Sequence, residues 1–284
     1  MTTAVVIPAY NGLDYLKINL PAVLKLKSDQ VIIVDDASED FTGEFIKSTY
    51  PEIKLITNPK NLRFPKSVNI GFQAAEADVI LLLNQDVTPH PDIITKALKF
   101  FDDPKLFAVT FNEGKFGYAK VQFTGGFLQY TSQKSESVHS SFWASGGSCA
   151  VRKTIWDQLG GFDPVFSPGY HEDLDISWRA RKQGYKILWL PDARVEHQRE
   201  TAFNKAFDVG QLQLIKDRNY LICQWKNLSA VNLCLHFLAV LLRCLKHPGY
   251  LIPVAMAKWH LLSIISYRLT SKNLYSDNRI FNDQ

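Results

Sequence analysis

The first hundred residues are dominated by short apolar, β-branched runs separated by amphipathic stretches, and each run is followed closely by polar residues. The runs are AVVIP (4–8), VIIV (31–34), IKLI (53–56) and VILLL (79–83), while 13–26, 42–50 and 67–77 carry apolar residues at helical spacing. Strand and helix alternating in this way build a mostly parallel sheet with helices on both faces, an α/β architecture of Rossmann-like type. Such sheets bind ligands beyond the carboxyl ends of their strands. Here those ends carry Tyr10 and Asn11, Asp35 and Asp36, Asn58 and Asn61, and Asn84 to Asp86, so four strand ends are expected to share one rim.

Residues 105–141 are rich in Gly, Thr and aromatic residues and read as irregular strands and loops able to line an acceptor cleft. Helix is expected again over 172–183 and strand over 187–190. After about 198 the composition shifts: 228–245 is almost continuously apolar, with Asn232, His236 and Arg243 on one helical face. A second segment, 250–269, is interrupted by Pro253, Lys258, His260 and Arg268. Neither reaches the roughly 20 apolar residues of a confident span, and a narrow polar stripe suits a helix lying at the membrane interface. Lys226, Arg243, Lys246, Lys258, Arg268 and Lys272 are then available to anionic headgroups. The competing expectation is a helical hairpin packed on the rest of the chain or on a partner, including a second copy.

The 284 residues, 46% hydrophobic, suit one large domain with an appendage: a catalytic unit over 1–225 (halves 1–103 and 104–200) and a helical segment over 226–284. A net charge of +4 gives no argument for nucleic acid. Cys149, Cys223, Cys234 and Cys244 form no CxxC pair and read as buried thiols of a reducing compartment. The N-terminus lacks the pattern of a signal peptide, so the expected location is cytoplasmic, peripheral on the inner face of the membrane.

The strings VVIPAYNG, VIIVDDAS and LLLNQDVTP resemble the nucleotide-binding half of the family 2 glycosyltransferases, which have the GT-A fold. GGSCAVRKTIWDQLGGFDP, GYHEDLDISWRARKQGY and VEHQ resemble the acceptor half, particularly in rhamnosyltransferase-like members. The matches fall in the family's order across roughly 4–200. The resemblance implies an inverting transfer of a sugar, rhamnose among the options, from a UDP- or dTDP-linked donor to a saccharide or lipid-linked saccharide hydroxyl in cell-surface polysaccharide synthesis.

Residue types in these strings suit that chemistry. A carboxylate at a strand end can accept from the imide edge of a base, and the resemblance favours Asp36 over Asp35. Tyr10 can cover the base or ribose, Pro8 shapes the backbone beneath, and Asn11 adds a polar group. Arg63 sits where relatives contact the base or phosphate. A departing diphosphate calls for a divalent cation, Mn²⁺ or Mg²⁺. By resemblance Asp86 and His197 are the metal ligands, while Asn84 replaces the first acid of the usual Asp-x-Asp and contacts ribose or the metal's water. The acceptor hydroxyl needs a base, which the resemblance assigns to Asp173. Glu172 and Trp143 are acceptor-side candidates, Gly146 and Gly147 permit close approach to the donor, and Asp175 reads as an ion pair with Arg179 four residues on. Two other functions compete: a sugar-phosphate nucleotidyltransferase, whose Gly-rich phosphate loop PAYNG does not match, and a silent carbohydrate-binding scaffold.

Overall fold

The computed structural model describes residues 1–198, 207–271 and 277–282. The expected alternation forms β1 (Thr3–Ala9), α1 (Leu13–Leu24), β2 (Gln30–Asp35), α2 (Thr42–Thr49), β3 (Lys54–Thr57), α3 (Phe64–Ala74) and β4 (Val79–Leu83). β1 and β4 are buried along their whole lengths, as strands covered on both faces must be. The chain continues through β5 (Val87–Pro89), α4 (Ile93–Leu98), β6 (Leu106–Asn112), β7 (Tyr118–Thr124), β8 (Phe127–Gln133) and β9 (His139–Ser140). Then come β10 (Ser148–Arg152), α5 (Lys153–Leu159), α6 (Glu172–Lys182) and β11 (Lys186–His197).

One nine-stranded sheet runs β3-β2-β1-β4-β10-β6-β11-β5, with β9 also on β11, while β7 and β8 form a separate hairpin. β10 lies antiparallel between β4 and β6, so a strand late in sequence joins the two halves. The region 105–141, expected to be irregular, thus supplies a central strand, β6, whose first six residues are buried. Apolar side chains fill both sheet faces: Leu16, Ile33, Leu81 and Phe101 on one, Val6, Phe72, Leu82 and Trp156 on the other.

The C-terminal part contains α7 (Val209–Asn227), α8 (Ala230–Lys246), α9 (Leu251–Lys258), α10 (Leu261–Thr270) and α11 (Asp277–Asn282). Residue 225 falls inside α7, and a third apolar cluster joins Phe142, Phe166 and Trp178 to Leu221, Trp225, Val240 and Ile264. The polar stripe of α8 faces the protein, contrary to expectation. His236 is fully buried with Nδ1 2.7 Å from the Gly126 carbonyl, Asn232 donates to Asp277 at 3.0 Å, and the Arg243 guanidinium lies over Phe127 and Tyr250. Two more of the cations expected at headgroups are also engaged by the protein. Lys226 is buried on Asp163 and Asp175, and Arg268 donates to the Trp225 and Leu228 carbonyls. Lys272 lies outside the described residues. Of the cysteines, Cys234 is exposed on α8 rather than buried.

Candidate active site

The ends of β1, β2 and β4 meet at a cavity lined by Pro8, Ala9, Tyr10, Asp36, Asn61, Arg63, Asn84, Gln85 and Asp86, together with Phe64, Ser67, Pro168 and Phe207. Gln85 fixes its floor by accepting from the Tyr10 N–H at 2.9 Å and donating to the Tyr10 carbonyl at 3.3 Å. Asp36 is buried and latches the 58–63 loop: Oδ1 accepts from Asn58 and the Leu62 N–H, both at 2.7 Å, and Oδ2 accepts from the Arg63 N–H at 2.8 Å. A carboxylate has about four acceptor positions, so Oδ2 keeps capacity for a ligand N–H. Asp35 turns away to accept from Ser38 at 3.0 Å. Arg63 reaches the cavity with its guanidinium 6.0 Å from the centre of the Phe207 ring. Asn11 does not line the cavity; its side-chain oxygen accepts from the Glu39 N–H at 2.8 Å and its own N–H donates to Ser38.

Strand register assembles the next group. β11 continues past Leu190, through an irregularity, to pair antiparallel with β5, and His197 faces Val87. That sets the imidazole beside Asp86, with Nε2 3.2 Å from Oδ1. Nδ1 lies 3.2 Å from Oε2 of Glu113, whose Oε1 accepts from Ser145 at 3.0 Å and Ser148 at 2.7 Å. Neither carboxylate lies along a ring N–H direction, so these are ion-pair contacts rather than aligned hydrogen bonds. Burial pulls the His197 pKa down, but Asp86 and Glu113 prevail and raise it to about 9.

The turn into β10 closes the site. Asn84 N–H donates to the Gly147 carbonyl at 2.9 Å, and a Cβ on Gly147 would stand 2.7 Å from Asn84 Nδ2 and 3.2 Å from His197. Only glycine lets the backbone come this close. The neighbouring Gly146 N–H donates to Asp173 Oδ2 at 3.1 Å, and the Leu174 N–H donates to Oδ1 at 2.7 Å. Asp173 thus sits in the first turn of α6 with backbone N–H partners, and among the described residues no cation pairs with it. Burial raises its pKa despite those N–H groups, with Glu113 adding to the rise. Burial and the nearby Asp173 hold Glu172 well above the carboxylate range, and its Oε2 has no hydrogen-bond partner. Trp143 is half-buried and meets the half-exposed Tyr130 edge-on at 5.4 Å. Asp175 forms the expected bond to Arg179 at 2.8 Å.

A match to Glycosyl transferase family 2 covers residues 4–159, more than half of the chain. The chain belongs to glycosyl transferase family 2. It is similar to the pre-mycofactocin glycosyltransferase of Mycobacterium tuberculosis, with 27% identity over 69% of this chain and 43% of that protein. It is also similar to the N-acetylglucosaminyl-diphospho-decaprenol L-rhamnosyltransferase of the same organism, with 25% identity over 60% of this chain and 66% of that one. The chain spans a little under half the length of the first of these relatives. Among solved structures, GalNAc-T7 with UDP, GalNAc and Mn²⁺ superimposes with a TM-score of 0.63 and 19% identity, over 80% of this chain and 48% of that one. The fold is the GT-A fold.

The strand-end residues suit a divalent cation in this family 2 chain. Among the described residues, Asp86 Oδ2 and Asn84 Oδ1 are buried with no hydrogen-bond partner, at the edge of the cavity and beside His197. Buried oxygens in that state are costly unless something else satisfies them. Among the described residues no cluster of three or more His, Cys, Asp or Glu forms a complete cage. A site with few protein ligands is what a cation shared with substrate phosphates and water requires. Across the Asp86–His197 pair lies a second groove, of about 680 Å³, with Asn112, Glu113, Lys134, Trp189 and Arg194 on its walls.

Glu113, together with Phe64, Ser67, Pro168 and Phe207 on the cavity wall, was not anticipated from the sequence, and Gln85 was placed on the rim without a role. Glu113 stands just past the apolar run LFAVTF, so the polar-residue-after-strand rule applied to β6 would have found it.

Proposed function

We propose that this chain transfers a glycosyl group from a nucleotide-diphosphate sugar to a hydroxyl of a saccharide or lipid-linked saccharide, inverting the anomeric configuration. One observation carries the reading: Asp173, half-buried and with no cation paired to it among the described residues, is tied through adjacent glycines to Asn84 and the Asp86–His197 pair. In this reading Tyr10, Asp36 and Arg63 hold the nucleoside, with Oδ2 of Asp36 accepting from a uracil- or thymine-type N–H. Asn84, Asp86 and His197 hold a divalent cation, Mn²⁺ or Mg²⁺, which when bound offsets the charge gathering on the diphosphate. Asp173 accepts the acceptor's hydroxyl proton as that oxygen bonds to the anomeric carbon and the bond from that carbon to the diphosphate breaks. A single displacement of this kind inverts the centre. Trp143 and Tyr130 offer an apolar wall to a pyranose ring, and Glu172, whose pKa burial and Asp173 push well up, stands next to the base on the acceptor side.

The rhamnosyltransferase relative supports a deoxyhexose donor and a polysaccharide-building role. The test is transfer from a panel of UDP-, dTDP- and GDP-sugars with membrane extract as acceptor source, with and without Mn²⁺. The expected result is a metal-stimulated product with inverted linkage, lost in Asp173→Asn while donor binding persists. Absence of both donor binding and product across the panel overturns the reading.

A further inference from the structure

The apolar side of α8 points away from the protein. With Asn232, His236, Val240 and Cys244 against the body, Leu235, Leu238, Leu242 and Leu245 are left between 50% and 72% exposed. α9 and α10 add further exposed apolar residues: Leu262 and Leu269 are 85% and 82% exposed and Trp259, between the two helices, is 82% exposed. Isolated exposed leucines are ordinary, but large apolar side chains exposed on three successive helices mark a contact surface.

Charge identifies the contact. From 228 to 272 the sequence holds five Lys or Arg and no Asp or Glu. Lys246 and Lys258 are exposed at the patch, whereas Arg243, itself exposed, stacks on Tyr250 and Arg268 donates to the Leu228 carbonyl. A second copy would bring one basic segment with no acid of its own against another. A bilayer with anionic headgroups accepts both the leucines and the lysines, and an exposed Trp suits the headgroup boundary. No single described helix is long and apolar enough to cross a membrane. α8 has 17 residues, and Pro248–Lys258 and Leu261–Thr270, long and apolar enough only when taken together, are bent by 59° at the break between them.

We propose that the outward face of α8, α9 and α10 docks in the plane of an anionic phospholipid bilayer without crossing it. The docking face is fixed to the site: the His236 contact with Gly126 and the Arg243 stack on Phe127 hold the β7–β8 hairpin, whose Tyr130 meets Trp143. The inference adds a location to the glycosyltransfer reading without depending on it.

The experiment is flotation of the full chain with phosphatidylcholine vesicles containing 0 or about 30% phosphatidylglycerol, at low and high salt. Wild type is expected to float with the anionic vesicles. Leu238→Gln with Leu242→Gln and Leu245→Gln should weaken partitioning about tenfold or more, with an unchanged far-ultraviolet spectrum and melting temperature. Lys246→Gln with Lys258→Gln should cost about fivefold per lysine on anionic vesicles at low salt and little on neutral ones. Wild type that stays at the bottom of the gradient overturns the proposal, as does light scattering showing a dimer that persists with vesicles and that the leucine substitutions dissolve. Vesicle binding is read without turnover, so a chain that transfers sugar but does not float loses this inference alone.

Discussion

The two sides of α6 carry carboxylates two residues apart under opposite conditions, Asp175 fully buried and Asp173 half-buried. On the side facing α7, Asp175 is fully buried and receives Arg179 at 2.8 Å, Lys226 at 3.0 Å and Asn227 at 2.7 Å. Burial pushes its pKa up, but the two cations and Asn227 outweigh that and hold it below the carboxylate range. On the side facing the strand ends, Asp173 has only backbone N–H partners among the described residues, and desolvation keeps its pKa raised. One helix thus holds an acid neutralised by its neighbours and an acid whose charge the fold leaves uncompensated. The first suits structure; the second suits taking a proton.

Substitutions can break that contrast. Asp173→Asn is expected to lower turnover about 10²- to 10⁴-fold while leaving donor affinity, measured by calorimetry, nearly unchanged; equal turnover would remove Asp173 from the reaction. Asp175→Ala should instead unfold the chain more easily, by about 3–5 kcal/mol in urea melts, because buried Arg179 loses its acid and Lys226 is left with Asp163 alone. Glu113→Gln should weaken Mn²⁺ binding, measured in the presence of donor nucleotide, by about 10- to 100-fold, since the side chain beside Nδ1 then no longer carries a charge.

Acidity gives the finest test. Because the Asp173 pKa is raised, transfer should fall with decreasing pH at a value above the ordinary 3.8, read from kcat/KM against pH. For stability the two acids have opposite signs. The depressed Asp175 contributes stability that is present above its unfolded value and lost as pH falls toward the folded one. The raised Asp173 contributes a penalty that grows as pH climbs from the unfolded value through the folded one, so Asp173→Asn should melt slightly higher than wild type at neutral pH.

The donor-side strands were legible because buried parallel strands leave an unbroken apolar run, and the polar residue that follows marks the rim. Asp36, Asn84 and Asp86 reach the cavity on that logic, whereas Asn11 follows the same run and turns to cap Glu39. The motif strings pointed to His197, yet what sets it beside Asp86 is the pairing of β11 with β5, a strand of three residues too short to carry a pattern. β6 and Glu113 escaped because Thr, Gly and aromatic residues around them masked the apolar run. Helical spacing located the stripe of α8 correctly but not its direction. Periodicity defines two faces; which one meets the body depends on groups distant in sequence, here Gly126, Phe127 and Asp277.

The insertion of β10 between β4 and β6 makes the donor and acceptor sides parts of one hydrogen-bonded plate, with no hinge between them. Such a plate cannot open like a pair of jaws. The β7–β8 hairpin lies outside that plate and is held instead by α8, through His236 on Gly126 and Arg243 on Phe127. A displacement of that helix would therefore reach the hairpin that sets Tyr130 against Trp143.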